Sequence, residues 1–436
     1  LTRRSWNAAV APLILLTAIA ASAAAADNAY APAAGAPPAP VTWTLDDVTD
    51  IALKNQPLVK QSDADVVAAE ARKGQVEAAY YPFVNLSAGY SRQRTFNTLT
   101  QSNVTTPNEF VRGDINWMLY DFGRTGASVD RADANAGISR ENAATTREDV
   151  IFVSKVTFYN VLRAEKTLEF QRENLRQRET LLRQARAFYE AGVRAKIDVA
   201  RAEATLYDAR AQLSQAVNDL RVARITLLQR MGVDGPAGFA LSGKLPEMTL
   251  PGTLEDWIAE AERNRPELRA LAEKERAATE SLRRAKAEYL PYLVGTLGAG
   301  YGADVVPLQQ NYGASITLNY PLFSGFQTRE AVKEASATIS SVRYEITEAK
   351  RRTRLEVERS AYGVQEAQER LAARKKQREA AEENLRLATA RYEVGAGDII
   401  EMTDAQTGMI SSDTETVNSA FDYAVSYASL LRAMGR

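Results

Sequence analysis

Two stretches of this chain, residues 108–235 and 322–436, contain no proline, and both are rich in Ala, Leu, Glu, Gln and Arg. A proline inside a helix removes a hydrogen bond and clashes with the turn before it, so proline-free blocks of strong helix formers read as very long helices. The remaining prolines fall in the N-terminal leader, near 57, 82 and 107, from 236 to 266, and near 291, 307 and 321.

The two blocks are copies of one another. Tyr189-Glu190-Ala191-Gly192 matches Tyr392-Glu393-Val394-Gly395 at an offset of 203, which also pairs Tyr120 with Phe323, Ala202 with Ala405 and Met231-Gly232 with Met434-Gly435. Upstream the offset is 209, pairing Leu45-Asp46-Asp47 with Leu254-Glu255-Asp256 and Pro57 with Pro266. The difference falls between residues 82 and 120, where the first copy carries the longer loop. Matched register over such a length marks an internal duplication. The expected division is an export signal over 1–26, a flexible leader over 27–42, a first repeat over 43–232, a linker over 233–252 and a second repeat over 253–436.

Each repeat has one plan: a helix (45–80, then 254–288), two strands and a loop, a very long helix (124–190, then 327–393), a Gly-containing turn, and a returning helix (196–231, then 399–434). The strands alternate. Val111, Gly113, Ile115, Trp117 and Leu119 interleave with polar residues, as do Val84, Leu86 and Ala88, and Ala314, Ile316 and Leu318. Such alternation fits a membrane barrel strand, apolar outside and polar inside, and also a soluble sheet lying on a core. The segment 290–301 is the weakest strand by this criterion because of Gly295, Gly298 and Gly300.

The helices favour the first reading. Val199, Ala202, Leu206, Ala209, Leu213, Ala216, Leu220, Ala223 and Leu227 recur at spacings of 3 and 4, as do Val332, Ala335, Ile339, Val342, Ile346 and Ala349. That is the period of left-handed coiled-coil packing. A helix over 124–190 is about 100 Å long, far more than a compact domain uses. Four strands cannot close a barrel, and an open sheet in lipid leaves unsatisfied edge amides. Three copies of the chain would supply twelve strands and gather the helices into a tube.

Composition narrows the function. Arg3 and Arg4, the apolar run from Ala8 to Ala21 and the small residues Ala24-Ala25-Ala26 form an export-signal pattern. The chain has no Cys and no His, and its formal net charge is −1. Disulfides, thiolate metal sites and histidine acid–base chemistry are absent, and nothing favours nucleic acid. No cofactor or metal is expected, and catalysis would rest on carboxylates alone. Two other classes stay in view: a structural coiled-coil protein of the envelope, and an exported carboxylate enzyme, for which no Asp/Glu pair stands in a pocket-like context.

The chain resembles the TolC family of outer-membrane efflux proteins over nearly all of residues 43–436. The resemblance is carried by the duplicated plan, by Leu119-Tyr120-Asp121-Phe122-Gly123 with Leu322-Phe323-Ser324-Gly325, and by the turns Phe188–Ala202 and Arg391–Ala405. It implies a mainly α fold with a small membrane β part: a homotrimeric, 12-stranded β-barrel in outer-membrane lipid, joined to a long α-helical barrel. It also implies a non-enzymatic exit duct of a Gram-negative envelope, working with a periplasmic membrane-fusion adaptor and an inner-membrane pump of RND or ABC type. By the same resemblance, Glu401 and Asp404 ring a closed aperture, and Asp198 accepts a hydrogen bond from Tyr392. Gly192, Val193, Gly395 and Ala396 mark the adaptor-docking tip. The family's basic residue two places after the second turn glycine is here Gly397, which removes one expected gate contact. Without the family, Glu401 and Asp404 equally fit the solvated face of a helix.

Overall fold

The computed structural model describes residues 42–99, 101–235, 238–243, 251–303 and 309–436. The export segment, nearly all of the leader and part of the linker lie outside them. Described elements run β1 (Thr42–Trp43), α1 (Leu45–Asn55), α2 (Pro57–Glu77), β2 (Phe83–Asn97), β3 (Ser102–Tyr120), α3 (Arg124–Glu190) and α4 (Lys196–Met231). The same order then returns as β4 (Ala240–Leu241), α5 (Leu254–Asn264), α6 (Pro266–Ala287), β5 (Tyr292–Ala303), β6 (Gln309–Asn319), α7 (Gln327–Glu393) and α8 (Ile399–Met434). Helices α3 and α7 each span 67 residues, and α4 and α8 each span 36. No helix among the described residues is long and apolar enough to cross a membrane.

The first helix of each copy, expected as one rod over 45–80 and 254–288, is two. Gln56 and Arg265 take extended backbone (ψ 122° in both) because the following proline crowds the helical conformation, and a new helix starts with Pro57 or Pro266 at its first position. Thr44 and Thr253 cap the short helices in reciprocal boxes with Asp47 and Asp256. These hydrogen bonds hold both Asp carboxyls below their ordinary range.

The breaks make room for a joint. Helix α4 ends at left-handed Gly232, where a Cβ would lie 2.8 Å from the Asn55 backbone, and α8 ends at left-handed Gly435, packed on Asn264 and Arg265. Gln56 reinforces the first joint by donating from Nε2 to the Arg230 carbonyl at 2.8 Å. Around these joints sit two apolar clusters. Val48 and Ala52 of α1 pack with Phe158 of α3, Leu227 and Met231 of α4 and Phe421 of α8. In the second copy Ile258 and Ala261 of α5 pack with Val357 of α7 and with Leu430 and Met434 of α8. The short helices thus clasp the long ones near their midpoints.

The four long strands form one antiparallel sheet in the order β2-β3-β5-β6, so β3 and β5 join the two copies and β2 and β6 are its edges. The register puts Val84 beside Ile115 and Ile115 beside Leu297 on one face, and Asn85 beside Asp114 and Thr296 beside Ser315 on the other. The apolar face is uncovered: Leu86 is 80% and Tyr312 84% exposed. The glycine-rich segment that read as the weakest strand is a full member, paired on both sides. Strand β3 enters α3 through Phe122 and Gly123, both at positive φ, and the second copy uses Gly325 and Phe326 in the reverse order. Asp121 caps this entry to α3, accepting from the Gly123 and Thr125 amides at 3.1 and 2.6 Å.

Candidate gate and docking tip

At the end of the long helices remote in sequence from the strands, α3 turns into α4 and α7 into α8. Gly192 (φ 71°) and Gly395 (φ 77°) stop the outgoing helices in the left-handed conformation, which glycine adopts at little cost. The Val193 amide donates back to the Phe188 carbonyl and the Ala396 amide to that of Arg391, both at 2.9 Å. Asp398 caps α8 by accepting from the Glu401 amide at 2.8 Å. In the first turn of α4, Asp198 places its charge at the positive end of the helix dipole.

Tyr392 is brought to the centre of this end. It is 1% exposed, packed among Leu181, Leu182, Ala185, Leu206, Ile399 and Met402, with its ring 5.9 Å from that of Phe188. Its hydroxyl has no hydrogen-bond partner among the described residues, so the bond expected from Tyr392 to Asp198 is not made within the protomer. The two residues are nonetheless neighbours. Burial raises the Tyr392 hydroxyl's pKa, the Asp198 charge adds to the rise, and Arg194 opposes it.

Arg194 instead ties the two turns of one protomer together. From the first turn its guanidinium donates to the Gly397 carbonyl in the second at 2.6 Å, and it stacks over the Tyr392 ring at 5.5 Å. Sequence pattern alone does not mark this residue; its one signal is that Arg194 stands at the position equivalent to Gly397, one repeat earlier. Pattern does not mark Arg391 either. Its Nε lies 3.1 Å from Glu401 Oε1, so one of the two carboxylates expected at an aperture is paired inside the protomer. Asp404 is exposed, one helical turn further on, with no ion pair or hydrogen bond among the described residues.

Behind these groups, the guanidinium of Arg178 in α3 is 5% exposed and surrounded by neutral oxygens. It donates to Gln406 Oε1 at 2.9 Å and Thr407 Oγ1 at 3.0 Å in α8, joining the two copies just above the turns. Burial lowers its pKa, and the more distant Asp208 partly offsets that. The turn residues themselves face outward. Gly192, Gly395 and Ala396 are exposed, and Val193 (65%), Val394 (79%) and Ile197 (58%) make the end apolar as well as open. No cluster of metal-binding side chains occurs among the described residues.

A sheet apolar on one face, carried on paired helices about 100 Å long, defines the subunit of a channel that opens through an envelope membrane. The match to known proteins agrees. The model of the family described as outer membrane efflux protein covers residues 48–233 and 257–436, so the chain belongs to that family. It is a transport conduit rather than an enzyme, and it serves as the exit duct in efflux or secretion. Protein CyaE of Bordetella pertussis is 27% identical over 93% of this chain and 88% of its own. The crystal structure of a membrane protein from Pseudomonas aeruginosa superposes with a TM-score of 0.80 at 23% identity, covering 90% of this chain and 93% of that one. The CmeC outer membrane channel of Campylobacter jejuni also gives 0.80, at 17% identity and with 90% and 85% covered. The mainly helical fold with a small sheet, expected from the duplication, is the fold these structures share.

Proposed function

We propose that three copies of the chain close their sheets into a twelve-stranded barrel in the outer membrane. Their long helices form a periplasmic tunnel gated at the turns 191–195 and 394–398. The observation that carries this reading is the four-stranded sheet itself. Among the described residues its edges β2 and β6 are unpaired and its apolar face is bare, a state that lipid tolerates only when neighbouring copies complete the barrel. The apolar, outward-facing tip around Val193, Val394 and Ile197 suits docking by a periplasmic adaptor that links the duct to an inner-membrane pump. Relatives with efflux roles support that reading, among them the outer membrane efflux protein BepC of Brucella suis and the probable efflux pump outer membrane protein TtgC of Pseudomonas putida.

In this reading Gly192, Val193, Gly395 and Ala396 present the docking surface, Tyr392 and Asp198 brace the closed tip, and Arg194 ties its two turns together. Glu401 and Asp404 ring the aperture, but unequally. With Glu401 engaged by Arg391, the three Asp404 carboxylates dominate the field felt by a permeating ion. Single-channel recording separates the two roles. Asp404→Ala should reduce cation selectivity and divalent block more than Glu401→Ala does. Equal effects would remove the special place of Asp404, and no effect from either would remove the aperture.

A further inference from the structure

The polar face of the sheet carries one pair of charges, and the sequence clears space for it. Paired positions on this face run along Asn85, Ser87, Gly89 and Ser91 in β2, and Asn116, Asp114, Arg112, Phe110 and Asn108 in β3. They continue through Thr296, Gly298, Gly300 and Gly302 in β5 and Thr317, Ser315, Gly313 and Asn311 in β6. Arg112 and Asp114 are the only charged residues among these described positions, and the only ones lining the trough of about 1340 Å³ on this face.

Glycine is a poor strand residue, and several on one face point to something lying close against the backbone. Here it is this pair and the backbone bearing it. A Cβ at Gly298 would stand 2.9 Å from Asp114 Oδ1 and 3.2 Å from Arg112 Nη2. At Gly300 it would collide with the Val111 carbonyl and stand 3.1 Å from Arg112 Cβ. Arg112 Nε donates to Asp114 Oδ1 at 2.5 Å, so the two side chains lie along their strand and over β5. The surrounding groups are amides and hydroxyls, which offer hydrogen bonds but no net charge.

We propose that Arg112 and Asp114 set a second ion selectivity inside the barrel, in series with the tip and held near neutrality by their pairing. This rests on the trimeric channel reading, in which the polar face lines the lumen and three pairs form a belt. Removing one partner converts a balanced belt into three like charges. Arg112→Gln leaves three carboxylates and favours cations; Asp114→Asn leaves three guanidinium groups and favours anions.

The test is the reversal potential of purified full-length channels in a planar bilayer under a potassium chloride gradient. Salt near 0.1 M keeps the screening length at about 10 Å. A Glu401→Ala/Asp404→Ala background keeps the tip from masking the barrel. Arg112→Gln should raise the cation-to-anion permeability ratio by about twofold, Asp114→Asn should lower it by a similar factor, and the double variant should return to the background value. Conducting channels whose ratio is the same in all three variants overturn the belt and leave the channel standing. Single variants that shift the ratio in the same direction overturn it too. If the folded protein conducts in no variant and not in the parent, the channel reading itself fails, and the belt with it.

Discussion

The middle of the molecule and its turn-bearing end are built from the same four long helices, but they are fastened differently. In the middle, Arg432 of α8 reaches Glu148 and Asp149 of α3 and Glu267 of α6 at 3.1, 2.9 and 2.7 Å. Arg265, 8% exposed at the side chain, adds Glu356 of α7 at 2.6 Å. Burial is the largest single influence on Glu267 and raises it, but the hydrogen bonds and charges of Arg432 and Arg265, with a backbone amide, together outweigh it and leave the carboxyl below its ordinary value. Glu148 goes the other way, because burial exceeds the pull of Arg432. At the tip, the hydrogen bond from Arg194 to Gly397 spans the two turns, and the Arg391–Glu401 pair stays within one copy. The same helices are clamped at one level and lightly latched at the other. In the proposed trimer, this contrast would let the tip widen while the waist holds.

Three changes would break or sharpen that contrast. The largest effect is expected from Arg432→Ala, which leaves the largely buried Glu148 without its ion-pair partner and removes one of the two from Glu267, and should cost on the order of 3 kcal/mol. Thermal melting of the detergent-solubilised protein should fall sharply; a melt like the parent's would mean the waist is held by its apolar clusters alone. A smaller, local effect is expected from Arg194→Ala. Losing a tie of about 1 kcal/mol should raise the open fraction of single channels about fivefold while the melt stays put. A melt that falls with the open fraction unchanged would reverse the assignment of latch and clamp.

The smallest effect concerns Asp133 of α3. Hydrogen bonds from Lys73 and then from Arg276 hold its carboxyl below the usual range. A depressed carboxylate stabilises the fold above its unfolded value, near 3.9, and that contribution disappears as pH falls through the folded value. The slight difference in melting temperature between parent and Asp133→Asn should therefore be constant from pH 5 to 7 and shrink below about pH 4. A difference that grows on acidification would mean that these partners do not stabilise the charged form.

What the sequence revealed depended on how local the signal was. Helices α3, α4, α7 and α8 were legible because proline, glycine and heptad spacing all act within a turn or two, and their ends coincide with the observed ones. The break at Pro57 and Pro266 was legible in principle, since the residue before a proline avoids the helical region, yet the helical composition on both sides disguised it. Strand β5 looked weak because Gly298 and Gly300 are explained by Arg112, nearly two hundred residues away in sequence. At the tip, only the family resemblance brought out Tyr392, Asp198, Glu401 and Asp404. The choice of Arg391 as Glu401's partner and the reach of Arg194 across the turns depend on side-chain geometry that no spacing encodes.

The equal lengths of α3 and α7, 67 residues each, bear on how such a chain can change size. A single inserted residue in one helix rotates everything beyond it by about 100° and slides the seam out of phase with a neighbour that has not moved. An insertion is silent only if it adds whole heptads and is made in the outgoing and returning helices of both copies at once. Each permitted step then adds about 10 Å of depth. Channel length in such proteins is therefore quantised, and fitting the duct to a thicker or thinner envelope requires four coordinated insertions or deletions.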